Sequence, residues 1–403
     1  MKLLYFEWRK FVLRKHVFVF LLILSLLDIS KILLDKYQGE IDILYTESVD
    51  NKKAYEEMYS KIKGEITEKK IQFIERERER LGEIYDKKLG SYIEGEKTYS
   101  GNLYEDYRIF KQYIYDDFER CVQYKEYSIQ LEKLAKNNVD FYMKMDNVAG
   151  RKENQFIAKT YNDRKIKAYY RMENFEGYFS YTFSSVLIVI MCILSIAPMY
   201  VFEREINMWD VLETTYIGRR HCGIVKVFAS MIYASIIVFW FRMLDYFTYC
   251  FMFDMEGIEN PIWSVKGFSE SPLNCNIISY ALYDIGMKVL AVCVIVLAVL
   301  LLSLCVDKII HVTIGIAILF GIWLLMVNGI DSLDWWIKGL GMCSPLLLMD
   351  CSRLFSKFLY IEIGDNFVQG EILAELSSVC IIVLELIGLL MLEKRGLKER
   401  RKL

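Results

Sequence analysis

Residues 184–241 read SSVLIVIMCILSIAPMYVFEREINMWDVLETTYIGRRHCGIVKVFASMIYASIIVFWF. Two runs of almost pure hydrocarbon flank a polar insert, 202–221, that shows two glutamates and ends in two arginines. An apolar run crosses a bilayer when it reaches about 20 residues, and in lipid its backbone must satisfy its own hydrogen bonds as a helix. The insert therefore reads as a polar loop between two membrane-crossing helices. Six runs of this kind are present, near 17–35, 179–202, 224–250, 277–305, 309–330 and 371–392. The fourth and fifth are separated only by the tight turn VDKI. The chain of 403 residues is 54% hydrophobic yet 25% charged, so apolar and polar material must be segregated along it. The fold class expected is all-α integral membrane: six transmembrane helices, an amphipathic amino-terminal interfacial helix and a helical extracellular domain.

Lys and Arg near the span ends set the orientation. Lys2, Arg9, Lys10, Arg14 and Lys15 precede the first span, Arg204, Arg219, Arg220 and Lys226 flank the second loop, and the tail EKRGLKERRKL is basic. An even number of spans puts both termini on one side. Both termini, the 203–222 loop and the Asp307–Lys308 turn are expected to be cytoplasmic, in a multi-pass protein of the cell membrane. No small-residue cleavage site follows the first run, so it is expected to stay as a span.

Residues 36–177 form a polar block expected outside the cell, where acids and bases nearly cancel and proline is absent. The stretch from Tyr55 to Leu89 reads as one long helix, with Ile62, Ile66, Ile71, Ile74 and Leu81 near helical spacing. Its ERERER run, 75–80, reads as a solvated helix face rather than a nucleic-acid patch. A turn region is expected at 90–102, then helices near 103–137 and 153–175. At the amino end, Leu4, Trp8, Phe11 and Val12 fall on one face of a short helix, with Glu7, Arg9, Lys10 and Arg14 elsewhere. That pattern suits a helix lying in the interface. Residues 331–370 carry Trp335 and Trp336, suited to a membrane interface, and are too apolar after Pro345 for a free loop; short helices dipping into the outer leaflet or capping the bundle are expected. The domain plan is thus 1–35, interfacial helix and first span; 36–177, extracellular domain; 178–393, five-span bundle; and 394–403, basic tail.

Charges inside spans are costly and mark function by default. Asp28/Lys31, Arg242/Asp245 and Asp284/Lys288 are spaced to pair within their own helices. Asp284 and Lys288 are expected to line a water-filled translocation path, whereas the other two pairs are expected to be wet, on helices that continue beyond the bilayer. Glu385 has no partner on its helix and must face the bundle or a dimer cavity, or be protonated; a structural hydrogen bond to a neighbouring helix and a role in the path both remain open. The ten cysteines show no CxxC spacing; Cys343/Cys351 or Cys250/Cys275 could pair if both lie outside.

The order of these parts resembles the ABC-2 family of ABC transporter permeases. It comprises a basic amphipathic start with EWRKFVLRK, a span, an outer domain, a span ending APMYVFERE, a loop with LETTYIGRR, four further spans and a basic tail. The likeness is in layout over nearly the whole chain and in sequence over 1–20 and 195–228. It implies a permease subunit of an exporter, working with a second permease chain (a copy of itself or a homologue) and with a separate ABC ATPase subunit that binds the ATP. It also implies a coupling helix in the loop, carried by Glu203, Glu205, Ile206, Trp209, Leu212, Tyr216 and Arg219. A loop helix packed on its own bundle would account for the same stripe of Ile206, Trp209, Leu212 and Tyr216. The chain has no GxxxxGK[ST] motif; the nearest fragment, GSYIEGEK at 90–97, has Glu where the phosphate-cradling Lys should stand. No HExxH or GxSxG occurs, and the three histidines are scattered, so no catalytic, metal or cofactor site is expected on this chain. A membrane sensor whose outer domain binds a ligand without transport is the alternative.

Overall fold

The computed structural model describes every residue except 1, 40–42, 87–97, 207, 209–215, 333, 365 and 400–403. Its six long apolar helices span Lys15–Gln38, Glu173–Glu205, Cys222–Met252, Ile277–Cys305, Ile309–Asp331 and Gly370–Glu393, here spans one to six. Each is long and apolar enough to cross a bilayer, and the protein is a multi-pass helical membrane protein. Burial divides them. The apolar windows of spans two and four are 67% and 72% buried and that of span three 50%, against 22%, 17% and 17% for spans one, five and six. Spans two, three and four are the core. The outer three present Phe18, Leu22, Ile318, Leu325, Leu376 and Leu384 outward, which suits surroundings as apolar as the side chains.

Span two is in three pieces, Glu173–Ser180, Phe183–Ile196 and Pro198–Glu205. Pro198 has no backbone N–H to continue the helix. Span four supports the break: Ser303 Oγ donates to Ala197 O at 2.8 Å and accepts from Tyr200 N at 3.3 Å.

The loops after spans one, three and five meet at one end of the bundle, as six alternating crossings require. The helices of the first loop are Val49–Ile62, Glu68–Asp86, Leu103–Phe110, Asp116–Lys144 and Val148–Tyr161. Ser48, Asn102 and Asn147 cap three of them by accepting from Asn51 N, Tyr104 N and Gly150 N, each satisfying a donor that the helix start leaves free. Ile62, Leu81, Leu103, Phe110, Ile114 and Phe118 form a core separate from that of the bundle. The expected single helix over 55–89 breaks at Lys63. Gly64, at φ +94°, leaves helical geometry, and Gly64–Glu65 pairs antiparallel with Ala168–Tyr169. The helix expected over 103–137 runs on to Lys144, with a π-turn at Lys111–Tyr115. The segment expected as helix over 153–175 is instead a helix to Tyr161, the short strand and the first piece of span two. Within ERERER, Glu75, Arg76, Arg78 and Glu79 are exposed, as a solvated face should be.

Arg164 fastens this domain to the bundle. Its guanidinium donates to Ser271 O, Leu273 O and Asn274 Oδ1 at 2.9, 3.0 and 2.8 Å and stacks between Tyr161 and Trp263. The 253–276 loop that receives it has no periodic signal in sequence. The third loop, 331–370, holds the expected short helices, Trp335–Met342, Pro345–Met349 and Cys351–Phe355. Leu347, Leu348 and Phe355 are buried and Trp335 and Trp336 exposed. It also holds a hairpin, Tyr360–Ile363 against Asn366–Gln369, where only helices were expected. All ten cysteines are free thiols, so neither candidate disulfide is present.

Two outcomes test this packing. A methyl group on Gly341 would lie 2.8 Å from Met326 O and 2.9 Å from Ile330 N, both backbone atoms, whereas one on Gly286 would meet nothing within 4 Å. Gly341→Ala should lower stability in detergent by about 1–3 kcal/mol, the usual range for overpacking, and Gly286→Ala should leave the thermal midpoint unchanged. In the first-loop domain, Arg108 donates to both oxygens of Glu47 at 2.8 and 2.7 Å and, with Asn51 and Tyr113, outweighs burial to hold that carboxyl at about 2. A carboxyl lowered on folding stabilises above its unfolded value and stops doing so as pH falls through its folded value. Domain unfolding, followed by circular dichroism, should therefore be acid-sensitive from the ordinary glutamate range down to about 2, and Glu47→Gln should blunt that sensitivity.

Candidate functional site

Two buried ionic clusters, one near each end of the bundle, are the chemically distinctive features of the spans. The first lies at the end that carries the termini. The interfacial helix, Lys2–Phe11, is present, but Glu7 does not lie on its solvated side. Glu7 is 2% exposed while Tyr5 and Phe6 are more than half exposed. The reason is Lys226, fully buried at the start of span three, which donates to Glu7 Oε2 at 3.1 Å and to Glu203 Oε1 at 2.6 Å. Lys10 also pairs with Glu203, and Tyr200 OH donates to Glu393 on span six at 2.8 Å. Arg204 crosses to span four, donating to Ser303 O and Leu304 O, both at 2.7 Å, and reaches Asp307 at 2.9 Å.

This geometry sorts the loop residues. Glu203 is inside, tied to Lys10 and Lys226, so it is not part of the loop's outward surface. Glu205 and Ile206 are exposed. Trp209 and Leu212 lie outside the described residues. Tyr216 and Arg219 lie in the helix that begins at Tyr216 and continues as span three, and their side chains lie outside the described residues. Lys226, which in sequence resembles a charge flanking a loop, is the hub of the cluster. An apolar neighbourhood was the only signal in sequence that it is buried.

The second cluster lies toward the domain end, where the sequence suggested three self-contained pairs. Arg242 does reach Asp245 at 3.0 Å, but it also reaches Asp284 on span four at 3.0 Å. Asp284 pairs in turn with Lys288. Lys31 pairs with Asp35 rather than Asp28; Asp28 accepts from Tyr181 OH at 2.8 Å. Asp28, Arg242 and Asp245 are not wet, and Asp284 and Lys288 do not line an open path within this chain: all five are at most 1% exposed. Helices packed on both sides, not helices projecting into water, surround them. Glu385 is half-buried on span six, and its Oε2 has no hydrogen-bond partner among the described residues, so the expected bond to a neighbouring helix is not made by that atom.

Next to the second cluster, a cleft of about 830 Å³ opens where the first-loop domain meets the bundle. Lys31, Asp35, Glu173, Glu176, Tyr181, Phe183 and Tyr249 line it from the spans, Gln112 and Tyr113 from the domain, and Lys266 from the loop after span three. No group of three or more His, Cys, Asp or Glu able to hold a metal occurs among the described residues. No family profile, curated protein or solved structure matches the chain.

The buried Lys226 and the exposed Glu205 predict unequal costs. Removing one member of a buried ion pair leaves an uncompensated charge, at about 3–5 kcal/mol. Lys226→Ala strands Glu7, leaves Glu203 with Lys10 alone and should lower the thermal midpoint far more than Glu205→Ala, which removes an exposed carboxylate. Differential scanning fluorimetry of both variants in detergent reads the contrast.

Proposed function

We propose that the chain is the membrane subunit of an ATP-driven exporter of the ABC-2 type, with its termini and the 203–222 loop in the cytoplasm. ATP is bound and hydrolysed on a separate ABC ATPase subunit, and a second permease chain completes the path. The observation that carries this reading is the bracing of the loop at both of its ends. Glu203 leaves span two and Lys226 enters span three, and the two are joined to each other and to Glu7 and Lys10 of the interfacial helix. A force applied to a loop held in this way moves two core spans and the interfacial helix together, which is what a non-catalytic subunit driven by a partner needs. Lipid surrounds the exposed faces of spans one, five and six, except where the second chain covers them. Asp284, Lys288 and Glu385 then act within the moving bundle, the first two as a link between spans three and four.

The loop residues supply the test. The full-length chain, affinity-purified from its native membrane, should bring down a nucleotide-hydrolysing subunit. Trp209→Ala and Leu212→Glu should weaken that association at least tenfold while leaving the thermal midpoint of the chain in place. A preparation with no such companion, or one indifferent to both substitutions, would instead favour a sensor whose first-loop domain binds a ligand, because that domain already grips the bundle through Arg164.

A further inference from the structure

The second cluster holds three carboxyl groups, Asp28, Asp245 and Asp284, and two cations, Arg242 and Lys288, all buried. If every group were ionised, one negative charge would remain without a counterpart in a site walled off from water, a cost of several kcal/mol. The deficit is not shared evenly. Asp284 has both cations, through Arg242 and Lys288. Asp245 shares Arg242 through Oδ2. Asp28 has no cation bonded to it: its Oδ1 is taken by Tyr181, and Lys31 on its own helix is committed to Asp35.

Asp28 faces Asp245 across the contact between spans one and three. Asp28 Oδ2 and Asp245 Oδ1 are both buried with no donor. Two acceptors that face each other without a hydrogen repel. One hydrogen on either of them turns the pair into a donor and an acceptor, and it also removes the surplus charge. The other polar groups that surround the pair do not do this. Arg242 lies over the Tyr178 ring, and its Nε and Nη2 make no hydrogen bond; Tyr280 and Cys351 lie on the far side, by Asp284; Tyr249 OH, the remaining hydroxyl nearby, makes no hydrogen bond to either oxygen.

We propose that Asp28 and Asp245 form a proton-binding site, holding one proton between them beside the cleft. Tyr181, bonded to Asp28, and Tyr249 line that cleft, so these two hydroxyl side chains stand between the pair and the cleft. The bound proton adds to the bonds that fasten span one, one of the three outer spans, to span three, Trp240 to Ser25 Oγ and Lys36 to Met252 O. Its release would place two carboxylates face to face and loosen that contact. The site stands whether or not the chain is a transporter.

An amide can replace the protonated acid at either position, because its NH2 donates where the proton did and its oxygen keeps the bond to Tyr181 or Arg242. Either single amide leaves two acids and two bases, whereas both together leave a surplus positive charge. The purified full-length chain in nanodiscs should therefore show a protonated-carboxyl carbonyl band by infrared spectroscopy at neutral pH. Asp28→Asn and Asp245→Asn should each remove the same band. The thermal midpoint of the unsubstituted chain should fall as pH is raised above the ordinary carboxylate range, where the folded chain still holds a proton that the unfolded chain has released. Both single variants should lose that fall, and the double variant should be less stable than either. The assignment is overturned if neither single variant removes a band, if the double variant matches the singles, or if sodium in place of choline restores alkaline stability in a chain that shows no such band, which would make the ligand a metal cation.

Discussion

Charge that leaves water inside a bilayer must find an opposite charge, and the ion pairs that join separate elements of this bundle answer to that constraint. Apolar side chains alone give six helices little reason to choose one partner over another, because lipid tails are as apolar as Leu and Ile. Lys226, Arg242 and Asp284 supply the choice. Each reaches another element of the chain: Lys226 joins span three to the interfacial helix and to the end of span two, and Arg242 with Asp284 joins span three to span four. Span three takes part in both, one near each of its ends, and this fixes its rotation as well as its position.

The same constraint explains what could be read from the sequence. Length and hydropathy located all six spans to within a few residues, since an apolar run of about 20 residues has few other uses. Alternation of the loops followed from counting. Partner choice did not. Asp28 and Lys31 are at i,i+3 and Arg242 and Asp245 likewise, so intrahelical pairing is the economical assumption from spacing, yet Lys31 turns to Asp35 and Arg242 to both sides. Glu7 sits among basic neighbours and looks solvated until Lys226, more than two hundred residues away in sequence, is known to lie beside it. Short elements were lost for a different reason. Gly64–Glu65 and the Tyr360–Gln369 hairpin are too brief to show a period of two, and the 253–276 loop is shaped by Arg164 of another segment.

The first-loop domain is not a separate body on a flexible tether. Its own core of tyrosines, phenylalanines and isoleucines would hold it together, but Arg164 inserts into the 253–276 loop, Lys63 meets Glu256, and Lys152 meets Asn366 of the hairpin. The domain therefore bears on the loops after spans three and five at once. Any force or ligand acting on it is felt at the ends of the core helices, beside the Asp28–Asp245 contact.

Ser303 and Pro198 give span two an unusual mechanical character. A continuous helix is bonded along its whole length, whereas at the lower of the two breaks in span two Pro198 removes a backbone donor and a single hydroxyl bridges the gap from span four. The two turns below this break carry Glu203 and Arg204 and so belong, by their bonds, to the interfacial helix and the span three–four ends. Any bending of span two at Ala197 would carry its lower piece together with the parts it is bonded to, while its upper piece is seated in the core.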